Sequence, residues 1–242
     1  MKRIIYLLIL LFLFISVSFA QSVLDYQTGT VLEIQTGADV CADQININGA
    51  YSGGGTICGS SAYILNITAF IQGFYDPATN FMVPDTITVY LHNGSPPFAI
   101  VDSAKQVLNL SGAGTFIFSN AVKGVFYYIV LKHRNSIETW SAGRHAFTTG
   151  FFSYDFSTAN TQAYGNNMIA VDDSPVRYAI FSGDANQDGF VNLADIIKVY
   201  NDGTNFVSGY VVSDMNGDNA VNLTDLLITY NNSSGFVSVK RP

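Results

Sequence analysis

Basic residues are scarce in this sequence. Its 242 residues contain 11 lysines and arginines against 18 aspartates and glutamates, a formal net charge of −7 with neutral histidines. A protein that binds nucleic acid or an anionic membrane surface needs clustered positive charge to meet the phosphates. The composition therefore argues against both classes of partner.

Side chains that catalysis commonly uses are also few. The three histidines, His92, His133 and His145, have no metal-ligand spacing and fall in predicted strands or at strand ends, where we expect them on the sheet surface. Only Glu33 and Glu138 are glutamates, and no Gly-x-Ser-x-Gly elbow occurs. Outside the Asp-rich C-terminus, no carboxyl pair stands out for glycoside hydrolysis. The sequence predicts a protein that is not an enzyme.

The N-terminus indicates export. Lys2 and Arg3 precede an apolar run over residues 4–14, and a stretch of small residues ends at Ala20. This pattern predicts a signal peptide over residues 1–20, cleaved after Ala20. The alternative is a membrane anchor, but a span needs about 20 apolar residues and Ser16 and Ser18 interrupt this one. We expect a secreted, extracellular protein with no membrane contact after cleavage.

The two cysteines, Cys41 and Cys58, enclose a glycine-rich stretch. An even number in an exported chain favours a disulfide. The alternative is a pair of reduced cysteines packed as small apolar side chains. Neither reading gives a redox motif or a zinc site.

The middle of the chain is rich in strand signals. Val125 to His133 places Val, Tyr, Ile and Leu at odd positions, and Asn93-Gly94 and Asn135-Ser136 each predict a hairpin turn. The predicted strands cover residues 64–71, 86–92, 115–119, 125–133, 151–156 and 176–181. Residues 62–181 thus form a predicted antiparallel β-sandwich, which resembles the prealbumin-like or immunoglobulin-like sandwiches of secreted bacterial proteins. Before it, residues 21–61 form a β-rich segment with strands near 30–34 and 44–48.

The C-terminal part, residues 182–242, contains a duplication. The segment from Asp184 to Ser208 recurs thirty residues later, from Asp214 to Ser238, with twelve of 25 aligned positions identical. An internal duplication accounts for this match better than chance does. An alternative reading of each copy is an Asx-rich β-turn.

Each copy has the spacing of a loop that binds calcium. This cation takes six to eight oxygen ligands, supplied at loop positions 1, 3, 5, 7, 9 and 12, with a backbone carbonyl at position 7 and often a water at position 9. Position 6 must turn sharply, which suits Gly189 and Asn219. The candidate ligands of two calcium ions are Asp184, Asn186, Asp188, Phe190, Asn192 and Asp195 in the first loop, and Asp214, Asn216, Asp218, Ala220, Asn222 and Asp225 in the second.

The duplicated loop with Asp at position 12, followed by an apolar helical stretch, resembles the type I dockerin family. The resemblance covers about residues 183–239. It implies two EF-hand-like calcium loops in a small α module, docking onto a cohesin of a scaffold protein, and association with polysaccharide-degrading machinery. It also implies that positions 10 and 11, Leu193-Ala194 and Leu223-Thr224, contact the partner. The chain departs from the family where Asn201-Asp202-Gly203 predicts a helix stop after less than two turns.

The sandwich leaves a second interpretation open. A carbohydrate-binding or adhesin-type sandwich presents exposed aromatic rings, and Tyr128 and Trp140 are the candidates for exposure. In that case the calcium repeats would act as an intramolecular brace. Burial of Trp140 would remove the best residue of this alternative.

Overall fold

The computed structural model describes residues 23–26, 31–41, 44–47, 50–54, 56–58 and 62–242. This part of the chain is mainly β, with two α-helices near its C-terminal end. Within it, no helix has the length and apolar character that crossing a bilayer requires. The predicted signal peptide and its cleavage site lie outside the described residues.

The N-terminal strands form three two-stranded sheets. They are β1 (Val23–Tyr26), β2 (Val31–Ile34), β3 (Asp39–Cys41), β4 (Gln44–Ile47), β5 (Ala50–Gly53) and β6 (Thr56–Cys58). The first three strands each pair in parallel with the third strand after them, β1 with β4, β2 with β5 and β3 with β6. The two predicted strands are confirmed as β2 and β4. Ile34 joins Ile64 in a small apolar cluster that links this segment to the next sheets.

The following strands build the main β structure. They are β7 (Tyr63–Thr68), β8 (Phe70–Ile71), β9 (Tyr75–Asp76), β10 (Phe81–Met82), β11 (Asp85–Asn93), β12 (Ile100–Leu108), β13 (Ala113–Phe118), β14 (Phe126–His133), β15 (Thr139–Trp140), β16 (His145–Ala146), β17 (Phe151–Asp155), β18 (Ile169–Asp173) and β19 (Val176–Ile180). One sheet has the order β12-β11-β14-β15, with β16 also on β14. A second has the order β13-β7-β17, and a third β18-β19-β8.

These sheets share one apolar core. In β11, Ile87, Val89 and Leu91 are buried, while Thr88 and Tyr90 between them are only partly buried. Leu65 and Ile67 of β7 belong to the same core. Alternate residues of a strand point to opposite faces, so each sheet turns one apolar face inward.

Two features of the predicted sandwich are wrong. Strand β17 pairs with β7 in parallel, and β19 pairs with β8 in parallel, so the sheets are mixed and not purely antiparallel. The tight turn at Asn93-Gly94 is absent, because residues 94–99 lie between β11 and β12. The N–H of Gly94 instead donates to the carbonyl of Phe126 at 3.0 Å. A side chain at Gly94 would lie 2.7 Å from that oxygen, which explains the glycine.

The two helices are equivalent in the repeats. They are α1 (Leu193–Thr204) and α2 (Leu223–Ser234). The predicted stop after less than two turns is wrong, because α1 continues through Gly203. Burial of Val199 and a 3.2 Å ion pair between Lys198 and Asp202, one turn apart, favour this continuation. They offset the cost of about 1 kcal/mol that glycine imposes on a helix.

Candidate metal centre

The first repeat forms a loop that folds around its own carboxylates. Asp184 accepts hydrogen bonds from the backbone N–H groups at loop positions 5 and 6, both at 3.1 Å. Asp195 accepts from the backbone N–H groups at positions 3 and 9, at 3.1 and 3.0 Å. The first and last candidate ligands are therefore held over the same short stretch of backbone.

The second loop has a similar geometry, with two of the four backbone donors one position earlier. Asp214 accepts from the N–H groups of Gly217 at 2.8 Å and Asn219 at 3.2 Å. Asp225 accepts from the N–H groups at positions 2 and 9, at 2.6 and 2.8 Å. In both loops the asparagine amide at position 3 donates to the aspartate at position 5 at 2.9 Å. The duplication seen in the sequence is thus a duplication of local structure.

The backbone turns as the loop positions require. The predicted left-handed conformation at position 6 is confirmed, with φ of 88° at Gly189 and 65° at Asn219. Position 4 is also left-handed, at Gln187 and Gly217. Two such residues close together curl the backbone into a tight loop. In the first loop, the side chains of Asp184 and Asn186 both accept from the N–H of Asp188.

Positions 9 and 12 also start the helices. The side chain of Asn192 accepts from the N–H of Ala194, and the Asp195 side chain accepts from the N–H of Asn192. Asn222 and Asp225 form the same reciprocal capping box at the start of α2. Two orphan donors of each helix are thereby satisfied. The same residues are candidate ligands, so each loop and its helix form one unit.

Backbone hydrogen bonds join the two repeats. The N–H of Val191 in the first loop donates to the carbonyl of Val237, beyond α2, at 2.9 Å. Symmetrically, the N–H of Val221 in the second loop donates to the carbonyl of Val207, beyond α1, at 3.0 Å. Because each loop is tied to the segment after the other helix, neither loop is independent of the other.

Burial leaves these carboxylates without enough compensating positive charge. Asp184, Asp195 and Asp225 are at most 2% exposed. Burial raises the pKa of Asp184 from its usual 3.8 to about 6, and the neighbouring Asp195 and Asp188 carboxylates raise it further against the backbone hydrogen bonds. Burial and like charges also raise the pKa values of Asp195 and Asp225. A bound cation would relieve this repulsion.

The donor set suits a hard cation. In the described part of the chain, no three His, Cys, Asp or Glu side chains form by themselves a group that could hold a metal ion. An ion in these loops would therefore also need the amide oxygens at positions 3 and 9 and the carbonyl at position 7. Calcium accepts such mixed oxygen sets, whereas zinc prefers nitrogen and sulfur ligands. The residues present fit calcium.

A pH dependence follows for the protein in chelator. Because the folded pKa of Asp184 lies above its unfolded value, the folded state holds the proton more tightly. Its stability should be highest below about pH 4 and fall by about 1–2 kcal/mol as the pH rises through 6, less than the full shift implies because water screens part of the loop.

Urea unfolding from pH 4 to 7 in chelator measures this dependence. Asp184→Asn, which cannot titrate, should flatten the profile. A stability that rises over this range, with no change in the Asn variant, would contradict the pKa assignment.

The candidate partner residues are exposed to solvent. Leu193 and Leu223 are both 66% exposed, and Ala194 and Thr224 are exposed beside them. Ile197 and Leu227, one turn further along each helix, are also exposed. The repeats thus present two similar apolar surfaces at the starts of α1 and α2, next to the loops.

One turn of the main β structure contacts both loops, which sequence reasoning missed. The carbonyl of Asn135, between β14 and β15, accepts from the N–H groups of Gly183 at 2.7 Å and Asp184 at 3.1 Å. The Asn135 amide donates to the carbonyl of Asp214 at 2.6 Å. Arg134 also donates to the Asp214 carbonyl, at 3.1 Å. The only signal in the sequence was the predicted turn itself, which is confirmed.

Arg134 belongs to a buried polar cluster. Asp85 lies 3.1 Å from the Nε of Arg134, 3.2 Å from the Nε2 of His133 and 2.6 Å from the Tyr210 hydroxyl. Burial alone would raise the pKa of Asp85, but the hydrogen bonds from His133 and Tyr210 outweigh it and hold that pKa well below its usual value. His133 is 2% exposed, so its expected position on the sheet surface is wrong.

The two aromatic residues predicted to be exposed are covered. Trp140 is 4% exposed and packs against His92 with ring centroids 4.5 Å apart. Tyr128, partly buried, lies 5.7 Å from the Trp140 ring. The carbohydrate-binding interpretation therefore loses its best residue.

The cysteine backbones are neighbours. Cys41 of β3 and Cys58 of β6 are paired in register in one parallel ladder. Paired Cα atoms in a sheet lie about 4.8 Å apart, within the range that a disulfide spans. Their side chains lie outside the described part, so the disulfide stays a prediction.

Comparison with known proteins gives no family. No protein-family model matches the sequence, and no similar curated protein was found. A C-terminal interface mutant of a type II cohesin–X-dockerin complex from Acetivibrio cellulolyticus matches 72% of this chain and 99% of its own, with 18% identity and a TM-score of 0.43. An N-terminal interface mutant of that complex matches 72% and 97%, with 18% identity and a TM-score of 0.38. Both TM-scores are below 0.5, so neither match assigns a fold or a function.

Proposed function

We propose that this chain is an exported, non-catalytic protein that binds two calcium ions and docks through its C-terminal module onto a protein partner. One observation carries the proposal. Two equivalent loops each hold buried carboxylates, and each loop lies beside an exposed apolar surface on the following helix. A cation would stabilise the loops, and a partner would cover the surfaces.

The partner class follows from the resemblance of the loops to type I dockerins. We propose a cohesin-type or cell-surface protein, within polysaccharide-degrading machinery. The exposed Leu193 and Leu223 support an apolar contact, because exposed apolar patches often mark protein interfaces. Export rests on the predicted signal peptide. The absence of a recognisable catalytic set in the sequence supports a non-enzymatic role.

A second candidate function is an intramolecular brace, and the close contact between the module and the main β structure favours it. A Cβ added to Gly73 would lie 2.4 Å from the Met215 carbonyl, and one added to Gly217 would lie 2.6 Å from the Phe74 ring. Neither glycine tolerates a side chain, since both also have positive φ. In this case calcium would stabilise the whole chain and no partner would be needed.

Calcium titration in a calorimeter tests the proposal. We expect the native protein to take up two ions, and the variant Asp188→Ala/Asp218→Ala, which removes the position-5 carboxylate of both loops, to lose at least about tenfold in affinity at each site. Magnesium, which prefers a rigid octahedral set, should bind more weakly. Native protein that takes up no calcium would refute the proposal.

A further inference from the structure

The two loops differ in what faces their first aspartate. In the second loop, Nη2 of Arg134 lies 3.5 Å from a carboxylate oxygen of Asp214. In the first loop, the neutral amide of Gln187 donates to the carbonyl of Asp184 at 2.8 Å. Among the described residues, no lysine or arginine lies within ion-pair distance of the first loop's carboxylates. The equivalent loops therefore have unequal electrostatic surroundings.

Arg134 is fixed in this position. Its Nε donates to Asp85 at 3.1 Å, and its guanidinium lies 4.4 Å from the Tyr210 ring centroid and 5.4 Å from that of Phe74. Its side chain is 11% exposed. A guanidinium held by a carboxylate and two rings cannot swing into solvent without breaking these contacts, so its charge stays beside the second loop.

We infer that Arg134 makes the two calcium sites unequal, with the second loop the weaker. The inference rests on the calcium binding proposed above. An ion bound by the Asp214 oxygen that faces Arg134, at the usual oxygen distance of about 2.4 Å, would lie at most about 6 Å from Nη2 of the guanidinium. At that distance, repulsion between the double and the single charge weakens binding about tenfold with the dielectric constant of water. The ionised Asp85 beside Arg134 offsets part of this repulsion, and the lower dielectric constant of the buried site strengthens it.

The asymmetry sets an order of filling. In the metal-free protein, Arg134 partly neutralises the second loop and links it to the main β structure, while the first loop lacks a matching cation. As the calcium concentration rises, the first loop fills first. The second loop fills at a calcium concentration about tenfold higher, because the charge of Arg134 repels the ion.

Single-loop variants measure the two sites separately. Asp218→Ala keeps all candidate ligands of the first loop, and Asp188→Ala keeps those of the second. Calcium chloride is titrated into each variant in a calorimeter. We expect the first-loop site to bind about tenfold more tightly. Adding Arg134→Gln to Asp188→Ala should tighten the second-loop site about tenfold, whereas adding it to Asp218→Ala should leave the first-loop site unchanged.

Two controls separate charge from structure. Arg134→Lys keeps the charge and should keep the second site weak. Lys132→Met removes one positive charge from β14, which precedes Arg134, and should change neither site because Lys132 is in no ion pair with a loop carboxylate. If Arg134→Gln does not fold, Arg134→Met replaces it. In chelator the neutral variant should unfold at a lower temperature than the native protein, because the ion pair is lost.

The outcomes distinguish this inference from the proposed function. Equal affinity of the two single-loop variants, or an equal effect of Arg134→Gln on both, would overturn the role of Arg134 while leaving calcium binding intact. No calcium uptake by the native protein would instead overturn the proposed function itself.

Discussion

Removal of calcium is expected to lower the free energy of unfolding by about 5 kcal/mol. A site held at a hundred times its Kd contributes about 2.7 kcal/mol, and there are two proposed sites. The physical reason is the set of buried carboxylates, which repel one another without a counter-ion. Urea unfolding in calcium and in chelator measures the difference.

The same experiment tests whether calcium also stabilises the main β structure, as bracing requires. Trp140 is the chain's single tryptophan and is buried in β15, so its fluorescence reports on the main β structure and on the C-terminal segment that contacts it through Glu138 and Arg241. Circular dichroism of α1 and α2 reports on the module. Because Asn135 bonds to both loops, we expect calcium to raise both midpoints together. If the urea midpoint followed by tryptophan fluorescence does not change with calcium, bracing is refuted.

A matched control weakens both sites without chelator. Asp188→Ala/Asp218→Ala changes two exposed loop carboxylates. Because a tenfold weaker site is held at only about ten times its Kd, the gain in stability from calcium should fall to about 3 kcal/mol or less. If this variant still gains about 5 kcal/mol from calcium, the ions bind elsewhere.

The second large effect is expected at the partner face. Ala194→Asp/Thr224→Asp should weaken binding to a cohesin that binds the native protein by at least about a hundredfold, because two new carboxylates would lose water in an apolar contact. Calcium affinity should change little, since both residues are exposed and neither side chain is a candidate ligand. Surface-immobilised cohesin measures the first quantity and calorimetry the second.

The control for this variant adds the same charge elsewhere. Asn201→Asp/Asn231→Asp changes exposed, equivalent positions in the last turns of α1 and α2. It should leave binding nearly intact. If the Ala194/Thr224 variant also binds with unchanged affinity, the two apolar surfaces are not the recognition face, and bracing becomes the better interpretation.

Local features were predictable from the sequence. The loop spacing predicted the left-handed backbone at Gly189 and Asn219, because a sharp turn there depends only on neighbouring residues. Alternating apolar residues predicted β11 and β14. The strands β12 and β18 were missed, since residues such as Ser103, Lys105 and Asp173 break the apolar alternation.

Tertiary contacts overrode two local signals. Asn93-Gly94 suits a tight turn, yet the N–H of Gly94 donates to the carbonyl of Phe126 in β14. Asn201-Asp202-Gly203 suits a helix end, yet burial of Val199 helps to carry α1 past it. In each case a packing or hydrogen-bonding partner far along the chain outweighs a preference of about 1 kcal/mol.

The sequence by itself determined the loops, their duplication and the exposed pairs after them, because these depend on spacing within a dozen residues. Only the tertiary structure decided the parallel pairing of β17 and the burial of Trp140 and His133. It also decided the contact of Arg134 and Asn135 with the loops. These features join residues dozens of positions apart, and pairings at that distance are selected by how the whole core packs, not by any local preference.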